Sequence, residues 1–256
     1  MSDFTKTVMV DPDGPYIQYL RYLSIQDAVN DTYIQSRGGT IIVEQGTYTI
    51  GSGQTPMIPS NTTLIGHGNA VIKIDNGDES AFRAANHANT NGNSRIVISG
   101  FKIIVKVDNY ANHAIWLQNT SDCIVEKVYV TSLDGETYYP INNNSNAILL
   151  RATVDNKCIN NTVRQCSVVN YGRFYSGVYD YGSGITVFSY TPSEQPQTKY
   201  CKRNSIINNY TNHTMHGCIL NGALETSVLG NVFINVQNIT NGDHAAGILA
   251  GYCDGS

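Results

Sequence analysis

His216, Arg151, Asp180 and Arg173 are the side chains of this sequence whose types suit proton transfer beside a bound carboxylate. Removing or returning a proton next to a carboxylate requires a cation to hold that group and a titratable side chain at the carbon. Arginine supplies the cation with a planar fork of donors, and histidine or tyrosine the proton carrier. Tyr175 is a further proton-transfer candidate. Tyrosine is dense in "YVTSLDGETYYP" (129–140) and "NYGRFYSGVYDYG" (170–182), which hold Tyr138, Tyr139, Tyr175 and Tyr179. Such rings stack on sugar faces while their hydroxyls hydrogen-bond. His113 and Asn146 complete the expected substrate contacts. The same tyrosines equally suit packing of long loops onto the body of the fold.

Composition narrows the partners. Only 14% of the 256 residues are charged, and the net charge is −4. No basic stripe suits nucleic acid. No apolar run reaches the roughly 18 residues that span a bilayer, so membrane insertion is not expected. The opening "MSDFTKTVMVDPDGP" lacks the basic start and apolar run of a signal peptide. The six cysteines fall into neither CxxC pairs nor zinc spacings, and no metal or cofactor is expected.

What must position the candidate residues is a repeat. "HAIWLQ" (113–118), "NAILLR" (146–151), "SGITVF" (183–188), "HGCILN" (216–221) and "AAGILA" (245–250) read alike, with "SAFRAA" (80–85) a weaker sixth. Their central column is Phe82, Ile115, Ile148, Ile185, Cys218, Ile248, at intervals of 33, 33, 37, 33 and 30 residues. The preceding column, Ala81, Ala114, Ala147, Gly184, Gly217, Gly247, contains no large residue. A second pattern follows each of the first five: Ile98-Phe101-Ile103, Cys123-Glu126-Val128, Cys158-Asn161-Val163, Cys201-Asn204-Ile206 and Val228-Asn231-Phe233. Period-2 strands in rungs of this length, with Asn at the turns, predict a solenoid of stacked parallel strands rather than a hairpin-built sandwich. Cys123, Cys158 and Cys201 then share one inward column, with Cys218 in the other, as small apolar groups. The remaining stretches, 104–112, 129–145, 167–182, 207–215 and 234–245, read as long loops gathered on one side. Residues 1–39 read as an N-terminal extension with a capping helix over 23–39, capped by Ser24 and ended by Gly38-Gly39. Residues 40–256 form the solenoid.

"SIQDAVND…GGTIIVEQGTYTI…MIPSNTTLIGHGNAVIKI", residues 24–74, resembles the opening of the pectate-lyase-like superfamily of right-handed parallel β-helices. The resemblance implies an all-β, right-handed parallel β-helix with a short N-terminal α-helix. It implies no single reaction, because that fold hosts pectin lyases, polygalacturonases, alginate epimerases and phage tailspikes. Gly66-His67-Gly68 spells a polygalacturonase motif, yet Leu64-Ile65-Gly66 aligns with Ile98-Ser99-Gly100, which makes it a turn. In that family the acids and histidine stand two residues ahead of the apolar column. Here that position reads Ser80, His113, Asn146, Ser183, His216, Ala246, so His216 takes the histidine's place while Asn146 and Ser183 replace the acids. Paired-carboxylate glycoside hydrolysis is therefore not expected. The epimerase Asp-Pro-His-Asp motif and a pectate-lyase calcium cluster are also missing.

The next outward column reads Arg83, Trp116, Leu149, Thr186, Ile219, Leu249. Its apolar members need a cover, either the long loops or subunits around a trimer axis. An open last rung calls for a homotrimer, a further C-terminal domain or another partner. Two functions are expected. One is a polysaccharide-binding protein, with or without lyase or glycosidase activity, whose site surrounds His216, Arg151 and the 170–182 loop. The other is a structural or adhesion module of the tailspike or virion type. Either implies an extracellular or virion-surface location without a recognisable signal peptide.

Overall fold

A computed structural model describes residues 7–10, 21–75, 79–85, 92–106, 113–134, 137–138, 145–153, 158–171, 173–175, 178–180, 182–189, 201–236 and 246–251. Three parallel sheets run the length of the molecule. Sheet A has nine strands, from Thr7–Val10 and Arg21–Tyr22 to Ser227–Leu229. Sheet B has seven, from Gly46–Ile50 to Val232–Val236. Sheet C has seven: Met57–Ile58, Phe82–Ala84, His113–Gln118, Ser145–Ala152, Gly182–Ser189, His216–Asn221 and Ala246–Gly251. Each rung passes from A to B to C, and every pairing within these sheets is parallel. The chain is a parallel β-helix, as the repeat implied.

The core is the set of inward columns. Ile41, Leu64, Ile98, Val125, Val163 and Ile206 stack in sheet A, all buried. The column of Phe82, Ile115, Ile148, Ile185, Cys218 and Ile248 stacks rung on rung in sheet C. The small column beside it lies where the rungs crowd. A Cβ added at Gly217 would stand 2.3 Å from the Phe233 ring, and one at Gly184 2.5 Å from the Gly217 carbonyl oxygen.

Corners are made by single left-handed residues. Asn61, Arg95, Asp122, Asn160, Arg203 and Glu225, at the corner entering sheet A, have φ between 50° and 61°. This region costs an L-residue about 1–2 kcal/mol. The inter-rung ladder offsets it, since the Arg95, Asp122, Asn160 and Arg203 N–H groups donate to the next rung at 2.9–3.0 Å. Gly66-His67-Gly68 is such a corner between sheets A and B. Leu64 pairs with Ile98, a Cβ at Gly66 would meet the Gly100 oxygen at 2.6 Å, and His67 points out to Glu44 at 2.9 Å.

Several details differ from the sequence reading. The repeat suggested two strands per rung; sheet B is a third, and Tyr129–Thr131, Ser167–Val169 and Tyr210–Thr214 are its strands rather than loop. The single Asn column is two ladders. Asn161 aligns with Cys123 and Asn204 before sheet A, while Asn231 aligns with Asn209 before sheet B. Cys158 accordingly stacks on Cys201 but not in line with Cys123. All five described cysteines are buried free thiols, and burial pushes Cys123 and Cys166 up to about 12, where the reactive thiolate does not form. The helix is also broken in two. The side chain of Asp31 turns from solvent to cap a second helix, accepting from the Tyr33 and Ile34 N–H groups. So α1 spans Ile25–Val29, with Ser24 as N-cap, and α2 spans Thr32–Arg37. α1 buries Ile25, Ala28 and Val29 against the first strands of sheets A and C. Strands Thr7–Val10 and Arg21–Tyr22, upstream of residue 40, already belong to sheet A.

The ladders give a stability prediction. Asn161 is fully buried, accepts from the Cys123 N–H at 3.0 Å and donates to Asn204 at 3.1 Å. Asn161→Ala strands those groups and should cost about 2–4 kcal/mol. Asn231→Ala, in a half-exposed rung, should cost clearly less. Urea denaturation of both variants checks the order; equal losses would contradict it.

Candidate functional site

Sheet C builds the candidate site on its outer face. At its entry edge stand His113, Asn146, Ser183 and His216, in register from rung to rung. Next come Arg83, Trp116, Leu149, Thr186 and Ile219, then Gln118, Arg151, Phe188 and Asn221. Parallel in-register pairing dictates this arrangement, because equivalent residues of successive rungs must lie side by side. Of the candidates drawn from sequence, His113, Asn146, Arg151 and His216 are therefore brought onto one face.

The contacts knit the columns together. His113 and His216 are buried. His113 Nδ1 accepts from the Asn146 N–H at 3.2 Å, and its ring meets Trp116 edge-on at 5.1 Å. The Arg83 guanidinium lies 4.5 Å over the Trp116 ring. Thr186 Oγ1 donates to Asn146 Oδ1. The Arg151 guanidinium is 5.8 Å from the centroid of Phe188, while its Nε is enclosed and donates to no acceptor among the described residues.

Burial, reinforced by the positive charges of Arg151 and Arg83, lowers His113 to about 3. With Nδ1 accepting, its proton sits on Nε2. His113 is thus a neutral hydrogen-bonding group at ordinary pH and too weak a base for proton abstraction.

Two described carboxylates, Glu79 and Asp134, are otherwise engaged. Glu79 accepts from the Gly53 N–H at 2.6 Å, the Thr55 N–H at 3.1 Å and the Thr55 hydroxyl. Burial raises its pKa, but these hydrogen bonds, helped by Arg83, leave it lowered overall. Asp134 belongs to the sheet B side, where Lys73 at 2.6 Å and Lys106 at 3.4 Å hold its carboxyl below the ordinary value. Among the described residues no second carboxylate faces Glu79 across sheet C, and no cluster of three or more His, Cys, Asp or Glu is placed to hold a metal ion.

The remaining candidates lie elsewhere in the chain. Strands Arg173–Tyr175 and Val178–Asp180 pair as a hairpin, with Arg173 opposite Asp180 and Tyr179 opposite Phe174. Tyr138 lies in a second hairpin, opposite Leu133. Tyr139 is outside the described residues. Gln118, Phe188 and Asn221 were not singled out from sequence, although they fall two residues beyond the Trp116 column and that spacing marks them.

No protein-family model and no curated protein matches the chain. Among solved structures it is similar to ORF18 of Geobacillus virus E2, at 15% identity and TM-score 0.42, over 88% of this chain and 55% of that one. It thus spans just over half the length of the virus protein. It is also similar to the A-module of mannuronan C-5 epimerase AlgE6 from Azotobacter vinelandii, at 14% identity and TM-score 0.29, over 89% and 94% of the two chains. A pectin methylesterase mutant solved with a hexasaccharide matches at 13% identity and TM-score 0.40, over 93% and 92%.

The state of His113 predicts a pH dependence. The unfolded chain takes up its proton near 6.5 and the folded chain only near 3. Stability from this group is complete above 6.5 and falls as pH drops toward 3, by at most about 1.4 kcal/mol per pH unit. His113→Gln should flatten the decline in melting temperature between pH 6.5 and 4; an unchanged slope would contradict the assignment.

Proposed function

We propose that the chain is a polysaccharide-binding protein that holds an acidic glycan against the outer face of sheet C. The observation that carries this reading is the pairing of cation with aromatic ring on a rigid sheet: Arg83 with Trp116 and Arg151 with Phe188, all partly exposed, with the partly exposed Asn146 beside them. Rings suit sugar faces, guanidinium groups suit carboxylates, and amides and hydroxyls suit sugar hydroxyls. Among the described residues the Arg151 Nε has no acceptor, so a carboxylate reaching it would satisfy a donor left unmatched there.

The same face argues about chemistry. Hydrolysis by two flanking carboxyl groups has no pair here among the described residues. His216 lies two rungs and five residues from Arg151, about 19 Å in an extended register, so it does not reach a carbon beside a carboxylate held by Arg151. Binding is the role that the face supports. A second reading, a structural or adhesion module that self-associates, draws on one observation: Leu229, Val232, Ile234, Ile248 and Leu249, all in the last described rung, are exposed apolar side chains.

Incubation with acidic and neutral polysaccharides, following binding, new reducing ends and ultraviolet absorbance from unsaturated ends, tests the proposal. Binding to an acidic polymer that weakens about tenfold or more in Arg151→Ala is expected. Absorbance would add lyase activity. No binding across the panel, together with a stable oligomer by light scattering, would favour the structural module.

A further inference from the structure

The geometry points to a second glycan-binding track, on the outer face of sheet B. Val71, Lys102, Tyr129, Ser167, Tyr210 and Val232 form one column there, each paired in register with the next. Their neighbours Ile72, Ile103, Val130, Val168 and Thr211 point into the core and are buried. Strand alternation therefore turns this column outward, where all but the buried Val71 reach the surface. Lys102, Tyr129, Ser167 and Tyr210 are each half-exposed.

Spacing identifies the ligand. Tyr129 and Tyr210 are two rungs apart with only the small Ser167 between them, which separates their anchor points by about 10 Å. An extended 1,4-linked glycan with near-twofold symmetry presents the same sugar face at every second unit, about one disaccharide apart. The two rings thus match alternate sugars of a chain lying along the solenoid axis, and Ser167 leaves room for the sugar between. Neither tyrosine hydroxyl has a partner among the described residues. Lys102 reaches over the Tyr129 ring at 6.0 Å and has no carboxylate partner among them. One rung before Tyr129, it would meet the sugar next in line and favours a carboxylated polymer.

The track is also bordered. Asp134, bound to Lys73 and Lys106, fastens the Leu133–Asp134 and Thr137–Tyr138 hairpin to sheet B beside it. The Val178–Asp180 strand lies against Tyr210–Thr214. These walls would confine a chain to the axial direction.

This inference rests on the reading that the protein binds polysaccharide, but uses none of the sheet C residues, so the two can fail separately. Affinity electrophoresis in gels containing alginate, polygalacturonate or carboxymethylcellulose, with hydroxyethylcellulose as the uncharged polymer, tests it. Loss of each ring should weaken retardation about two- to tenfold. Tyr129→Ala/Tyr210→Ala should therefore lose the retardation that the track contributes, a clear drop below the wild type, and Tyr129→Phe/Tyr210→Phe should keep most of it, both with wild-type melting temperatures. Lys102→Gln should reduce retardation by the carboxylated gels alone. Retardation unchanged in the double alanine variant would overturn the track and leave sheet C as the site. Loss there with Arg151→Ala unaffected would establish the track against the sheet C reading. No retardation of the wild type in any gel would overturn both.

Discussion

In-register pairing between rungs is the constraint on which everything else in this molecule depends. Each rung must deliver three strands beside those of the next, at one interstrand spacing, for the whole length of the solenoid. Inward columns then become continuous apolar stacks, and outward columns become continuous surfaces whose chemistry is set position by position. The corners carry the strain of this arrangement. Non-glycine residues hold the left-handed conformation because their N–H groups continue the ladder and the adjoining Asn161–Asn204 and Asn209–Asn231 pairs saturate the corner. A side chain on the face of sheet C is thus fixed by hydrogen bonds made on the other side of the rung.

That rigidity shapes the electrostatics. Arg83 and Arg151 share one face with a buried imidazole, and the price of the burial and of these charges is that His113 is held neutral down to a pH of about 3. The nearby carboxylate, Glu79, is consumed by backbone and hydroxyl donors from residues 53–55. Among the described residues, what remains is a face of positive charge, aromatic rings and neutral hydrogen-bonding groups. On the proposed reading, such a face is preorganised for a polyhydroxylated anion, because its groups are held by the sheet before a ligand arrives.

Much of this was legible in the sequence, and the exceptions have physical causes. The column from Phe82 to Ile248 could be read because each entry is apolar, inward and preceded by a small residue forced by rung crowding. It also placed His113, Asn146 and His216 on one line. Sheet B escaped because Tyr129–Thr131 and Ser167–Val169 are three-residue strands with Val130 and Val168 as their inward residues, too short to show a period. The two Asn ladders merged because both corners place a left-handed residue just before the Asn, as Arg203 precedes Asn204 and Asn208 precedes Asn209. Pattern alone gives the two corners the same spelling. Stacking of Arg83 on Trp116 and of Arg151 on Phe188 depends on side-chain direction across rungs, which no linear pattern carries.

Trp116 is the chain's single tryptophan and sits within the candidate face, so its fluorescence reports that surface alone. The most direct measurement is a titration of the intact protein with an acidic polysaccharide that it binds, following Trp116 emission. A saturable shift in emission tracking the bound fraction, abolished in Arg151→Ala, is the result that a glycan on sheet C requires. Binding that saturates while the emission stays unchanged would place the ligand elsewhere and contradict the assignment.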